Sequence, residues 1–232
     1  MDTHLPEYEL YAIRYAERDA RRSDHFIDAA RKRRFLRCPI EALSLVGVDG
    51  NAVKDVVLTH MHYDHVGNFH RLPNAQFHLQ EAELHYTTGR HMRHPFLARS
   101  FEIEDVVGIV RLNFAHRVKL YDGPAELCAG ITLHPVGGHT PGMQFVRVHT
   151  SRGWVVLASD VTHYYENMET GRPFTAAFNI GDMLDAYDAL RAHAPSPHHI
   201  IPGHDPLVMR QYPALRPELE GVVVRLDVMP RA

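Results

Sequence analysis

Residues 59–67 read Thr-His-Met-His-Tyr-Asp-His-Val-Gly and follow the apolar run Val56-Val57-Leu58. Four side chains of metal-ligand type, His60, His62, Asp64 and His65, fall within this short stretch. The apolar run reads as a buried strand that ends in the motif. Alternate residues of an extended segment point the same way, so His60 and His62 can converge on one ion. Asp64 and His65 follow where the chain turns and can face a second. Buried without metal, such a cluster would carry a large desolvation cost. The segment therefore reads as a metal site, and the rest of the chain must fold around it.

At 232 residues the chain is long enough for one domain with a proper core, and residues 1–232 read as a single domain. Hydrophobic residues make up 45% and charged residues 23%, ordinary values for a water-soluble protein. The net charge of −3 argues against nucleic acid as an obligate partner. The basic run Arg31-Lys32-Arg33-Arg34 reads as a solvated helix face. Cys38 and Cys128 are the only cysteines and lie far apart in sequence, which suits a reducing compartment without a disulfide framework. The N-terminus lacks a basic n-region and an apolar h-region, and no apolar stretch approaches the length of a membrane span. The expectation is a soluble cytoplasmic protein with no membrane partner. Histidine is the outlier, with 19 in the chain, but spacing and not number identifies ligands.

The pattern predicts strands over Tyr8 to Tyr15, Asp55 to Thr59 and Gln76 to Leu79, and a helix over Asp28 to Val46 with Pro39 at a first-turn position. A helix over Glu81 to about Thr88 and a partly helical segment over Pro95 to Leu112, able to cover the site, come next. Short strands follow at Val118 to Tyr121, Ile131 to Val136, Gln144 to His149 and Trp154 to Ser159. An amphipathic helix over Ile180 to His193 would bury Met183, Leu184, Tyr187 and Leu190, and a last strand runs over His199 to Ile201. Strands interspersed with helices suggest an α/β or α+β sandwich.

Three further strand ends carry ligand-type residues: His139 in Gly-Gly-His-Thr-Pro-Gly, Asp160 after Val-Leu-Ala-Ser, and His204 in Pro-Gly-His-Asp. With these in place the chain resembles the metallo-β-lactamase superfamily, whose signature His-x-His-x-Asp-His is followed by a later His, Asp and His. The resemblance runs from about Asp55 to Pro206. It implies an α/β fold of the αββα sandwich type and a dinuclear centre. His60, His62 and His139 would hold one ion, Asp64, His65 and His204 the other, and Asp160 would bridge both. Imidazole and carboxylate ligands without thiolate suit two divalent ions, zinc foremost, and also admit iron, manganese or cobalt.

Within that superfamily the chain is most similar to the N-acyl homoserine lactonases, through the motif Thr59 to Asn68, Gly137 to Gly142, and Asp160 followed by Tyr165-Glu166-Asn167-Met168. The resemblance implies quorum quenching by opening of a lactone ring, through attack of a metal-bridging hydroxide with Asp64 as a proton shuttle. The substrate would be a small lactone or ester, and a homodimer is open to the chain. The same centre in related proteins acts on thioesters and phosphodiesters, so other ester hydrolysis is the alternative. Phe96, Phe101, Phe114 and Phe174 are candidates for an acyl pocket. Two departures stand out. Such lactonases carry a tyrosine three residues after the bridging aspartate; here the position is His163, with Tyr164 next to it, and either could donate to the oxyanion. The family also presents an N-terminal strand pair before the helix that precedes the motif. That pair reads as missing here, with a junction near Asp28-Ala29-Ala30, so a shortened inactive chain is a further alternative.

Overall fold

The computed structural model describes residues 5–17, 34–35 and 39–231. Strand β1 (Tyr11–Ile13) is followed by a two-residue antiparallel pair, β2 (Ala16–Glu17) with β3 (Arg34–Phe35). The predicted junction near Asp28 and most of the basic run lie outside the described residues. The helix expected from Asp28 to Val46 needs correction. Arg34 and Phe35 are extended and paired, and among the described residues of that stretch helix is confined to α1 (Pro39–Leu43) with a 3-10 turn at Ser44–Val46. Gly47 closes that turn at φ 75°.

A three-stranded parallel sheet carries the metal motif. Its strands β4 (Asp55–Val57), β5 (Gln76–Gln80) and, after the helices α2 (Glu81–Thr88), α3 (Pro95–Ala98) and α4 (Ile103–Phe114), β6 (Val118–Tyr121) lie in that order. Alternation sorts the side chains of β5. Phe77 and Leu79 join Leu84 of α2 and Ile109 of α4 in one buried cluster, while His78 and Gln80 face the other way.

The second sheet has five strands: β7 (Ala125–Cys128), β8 (Ile131–Pro135), β9 (Gln144–Thr150), β10 (Gly153–Ser159) and, after the helices α5 (Tyr165–Thr170) and α6 (Ile180–His193), β11 (Ile200–Pro202). Neighbours pair antiparallel except β10 with β11, which runs parallel. On its outer face Phe145, Val156, Ala158 and Ile200 pack against Met183, Ala186, Tyr187 and Leu190 of α6. Leu184, expected on that buried face, is instead 40% exposed. On its inner face Leu133, Val146 and Val148 meet Val57 and Tyr121 of the smaller sheet. After α7 (Leu207–Gln211) the chain forms β12 (Val223–Arg225), which pairs with β1; Val224 and Leu226 close the cluster around Val155 and Ile201. The layers are helix, sheet, sheet, helix, the mixed α/β sandwich that the sequence pattern implied.

Polar groups join the two sheets at one end. Gln80 Nε2 donates to Gln144 Oε1 at 2.8 Å, and Gln144 Nε2 donates to Leu58 O at 2.8 Å. Gln144 N–H donates to Thr59 O at 3.1 Å, so the start of β9 holds the start of the metal motif. Among the described residues, no helix is long and apolar enough to cross a membrane.

Candidate metal centre

The ligand-type residues sit at strand ends on one edge of the sandwich: His60 to His65 after β4, His139 after β8, Asp160 directly after β10, and His204 after β11. Asp160 owes its place to local backbone strain. Ser159 before it sits in the left-handed region at φ 48°, and the β10–β11 pairing shifts register between Leu157 and Ser159. Ser159 Oγ lies 2.9 Å from Thr59 Oγ1, which ties this corner to the first motif. Gly203 packs under it, because a Cβ there would fall 2.8 Å from Ser159 O and 2.9 Å from Asp160 Oδ1.

Five imidazoles converge on the Asp160 carboxylate, which is 3% exposed. Oδ2 lies 3.8 Å from His60 Nε2, 3.4 Å from His139 Nε2, 3.0 Å from His163 Nε2 and 3.1 Å from His204 Nε2. Oδ1 lies 3.2 Å from His65 Nε2 and 3.0 Å from His204 Nε2, and Asp64 Oδ2 lies 3.3 Å from His65 Nε2. Two groups follow from these distances. His60, His62 and His139 form one; Asp64, His65, Asp160 and His204 form the other, and within each group the ligand atoms lie within 4.8 Å of one another. A third set, His139, Asp160 and His163, overlaps both.

The ring orientations suit metal. His139 turns its Nδ1 to Ala176 O, which leaves Nε2 facing His62 Nδ1 at 2.9 Å. His60 Nε2, His65 Nε2 and Asp160 Oδ1 are buried and make no aligned hydrogen bond. Orphaned atoms of this kind, two imidazole nitrogens and a carboxylate oxygen in adjoining ligand groups, are what divalent cations satisfy.

Electrostatics follow the same division. Burial, reinforced by neighbouring imidazoles, holds His60 and His62 well below the usual histidine range, so both stay neutral. Burial would lower His65 too, but the Asp160 and Asp64 carboxylates outweigh it and raise His65 to about 10. Burial would raise Asp160; its contacts with the His204, His65 and His163 imidazoles override this and keep the carboxyl well below its ordinary value. Burial lowers His163 to about 3.

His163 stacks on Phe174 with ring centroids 3.5 Å apart and planes at 9°. Tyr164 stands one step away at the start of α5, its N–H donating to Asn167 Oδ1 at 2.9 Å and its ring centroid 6.3 Å from that of His163. An open pocket lies beside the first group, lined by His62, His139, Tyr86, Phe96, Arg99 and Phe178, among others. Of the phenylalanines considered for an acyl pocket, Phe96 lines it, Phe101 packs edge-on against His62 at 4.6 Å, and Phe174 belongs under His163. Phe114 does not belong. It is 83% exposed at the end of α4.

Sequence reasoning missed the residues that hold the ligand loops. Glu83 is wholly buried, and burial pushes its carboxyl up to about 7. Asp205 accepts Tyr165 N–H at 3.0 Å and Leu207 N–H at 2.9 Å, pinning the chain next to His204. Tyr15 O–H donates to Asp64 O at 2.6 Å. Asp205 could have been noticed from its place beside a candidate ligand; the other two carry no local signal.

Comparison with known proteins agrees with this geometry. A family model described as the metallo-beta-lactamase superfamily matches residues 24–211. An N-acyl homoserine lactonase from a Bacillus species is 29% identical over 136 residues, which cover 58% of this chain and 49% of that protein. The chain thus matches about half the length of such curated relatives. The solved structure of a quorum-quenching N-acyl homoserine lactone hydrolase superposes with a TM-score of 0.57 at 25% identity, covering 70% of this chain and 62% of that one. A probable metal-dependent hydrolase from Staphylococcus aureus shares the fold, with a TM-score of 0.60 at 15% identity and coverage of 83% and 66%.

Proposed function

The chain belongs to the metallo-beta-lactamase superfamily, and on that premise we propose that it is a metal-dependent hydrolase that opens the lactone ring of N-acyl homoserine lactones. The observation that carries the reading is the convergence of His60, His62, Asp64, His65, His139 and His204 around the buried Asp160. His60, His62 and His139 would hold one divalent ion, Asp64, His65 and His204 the second, with Asp160 between them. The imidazole and carboxylate ligand set suits zinc, and also admits iron, manganese or cobalt. Two such ions supply activated water at neutral pH and positive charge for a tetrahedral oxyanion.

The chain's own residues do the rest. The pocket walled by Tyr86, Phe96 and Phe178 is placed to take the apolar acyl part. Asp64, in the second group, would move a proton between the attacking water and the leaving alkoxide. His163 stands where related lactonases have tyrosine. Its Nε2 faces Asp160 Oδ2 at 3.0 Å and its ring is held by Phe174, so its single N–H either steadies that carboxylate from Nε2 or, in the other tautomer, donates to the oxyanion. Tyr164 is the second candidate for that donation. The His163 position favours a second reading, in which the preferred substrate is another ester or a thioester.

Metal content and turnover of an acyl homoserine lactone, measured on one preparation, test the proposal. Two zinc ions per chain and ring opening abolished in His62→Ala are expected. Full activity after chelation would refute metal-dependent hydrolysis. Faster turnover of a thioester than of any lactone in a matched panel would select the second reading, and absence of any turnover by a zinc-loaded, folded chain would mark it as inactive.

A further inference from the structure

One side chain outside the ligand set touches both loops of the three-histidine group. Glu83, in the first turn of α2, is wholly buried. Its Oε1 accepts Met61 N–H at 2.9 Å, and its Oε2 accepts Gly142 N–H at 3.1 Å. Met61 stands between His60 and His62, and Gly142 lies three residues beyond His139. A single carboxylate thereby fixes the spacing of the two segments that supply all three imidazoles. The contact leaves no room for a side chain on the other loop: a Cβ on Gly142 would lie 2.2 Å from Glu83 N and 2.4 Å from Glu83 Cβ.

The same helix builds the pocket. Tyr86, one turn after Glu83, lines it and packs edge-on against Phe101 at 5.7 Å and Phe178 at 5.2 Å. Phe101 in turn packs on His62. Helix α2 is therefore one rigid strut with the ligand loops on one residue and the pocket wall on another. The carboxylate chemistry matters. Two oxygens can accept two N–H groups, whereas a carboxamide offers one oxygen and turns an N–H₂ toward the second donor. Asp205 has the matching arrangement for the other group, accepting two N–H groups beside His204.

We propose that Glu83 is a positioning residue that sets the geometry of the His60–His62–His139 ion and registers it against the pocket wall. The inference rests on the reading that these three histidines hold an ion. It is tested by titrating zinc into the metal-free full-length chain against a chromophoric chelator, without substrate. In Glu83→Gln one of the two zinc sites is expected to weaken by about 10- to 100-fold, the range for partners that orient metal ligands, while the other changes less than about threefold. In Asp205→Asn the loss should fall on the opposite site. Background variants identify the sites. Glu83→Gln should still weaken zinc binding in His65→Ala, where only the three-histidine group is intact, and should have little effect in His62→Ala. Glu83→Asp, which keeps both acceptor oxygens on a shorter stem, should give an intermediate loss and carries the test if the glutamine variant does not fold. Equal weakening of both sites, or an unchanged three-histidine site, overturns the inference while leaving the ligand reading intact. A wild-type chain that binds no zinc overturns both.

Discussion

At Asp160 the backbone enters through Ser159 in the left-handed region and the neighbouring turn passes beneath it as Gly203. Replacing Gly203 with alanine would drive a methyl into Ser159 backbone and the Asp160 carboxylate, neither of which is a flexible side-chain end. Gly203→Ala should destabilise the protein by about 1–3 kcal/mol, the usual range for forced overpacking, and should lower zinc affinity because Asp160 is displaced. Chemical denaturation and a zinc titration read the two effects; a stable variant with unchanged zinc affinity contradicts the account. His65 gives a second residue-scale expectation. Its imidazole is held up at about 10, so in the metal-free protein it carries a proton at neutral pH. A metal takes the neutral ring, so binding must release that proton. Zinc uptake at pH 7 should therefore acidify a weakly buffered solution by at least one proton per chain, and apparent affinity should fall about tenfold for each pH unit below 7. Proton-neutral binding would contradict this.

Among the elements, β8, β9 and α6 meet at a histidine that takes no part in the centre. His134 stacks on Phe145 at 4.9 Å, lies 4.4 Å from the His193 ring and places Nε2 2.8 Å from Thr132 Oγ1. Burial, with His193 and Arg147 nearby, lowers it to about 4. The folded state thus holds this ring neutral, while the unfolded chain protonates it near the ordinary histidine value of 6.5. Stability is then fully present above pH 6.5 and is lost as pH falls toward 4. In His134→Gln, which keeps a polar partner for Thr132, the drop in melting temperature between pH 7 and pH 5 should be smaller than in the wild type. An unchanged drop would remove His134 as a source of acid sensitivity.

The elements also show what the sequence makes legible. The strand before Asp160 and the helix over Ile180–His193 were readable because alternation and helical periodicity are local. The pairing of β1 with β12 was not, since its hydrogen bonds join chain ends far apart in sequence. The residues from Asp28 to Arg34 look helical by composition, yet Arg34 is extended because it has a partner in Glu17. In the centre, the ligands announce themselves by residue type and strand-end position. Glu83 does not, because a glutamate in a first helical turn is ordinary in sequence and only the fold buries it between two loops.

Across the whole molecule, the ligands come from both sheets. His60, His62, Asp64 and His65 extend the small parallel sheet, whereas His139, Asp160 and His204 extend the large one. Bound ions would therefore clamp the two sheets at the edge where Gln80, Gln144 and Leu58 already join them. The consequence is global: metal that binds only this arrangement must stabilise the entire sandwich. Zinc held at 1,000 times its dissociation constant contributes about 4 kcal/mol per site, and a chain of this length shifts by about 2–4 °C per kcal/mol. Removing one such ion should lower the melting temperature by roughly 10 °C, and removing both should lower it further. The shift should appear as displacement of the main cooperative transition, because no part of the sandwich is left out of the clamp. Calorimetry with and without chelator reads it, with His60→Ala as the control whose zinc-dependent shift should be markedly smaller. If chelation leaves the main transition in place, the ions do not bridge the sheets.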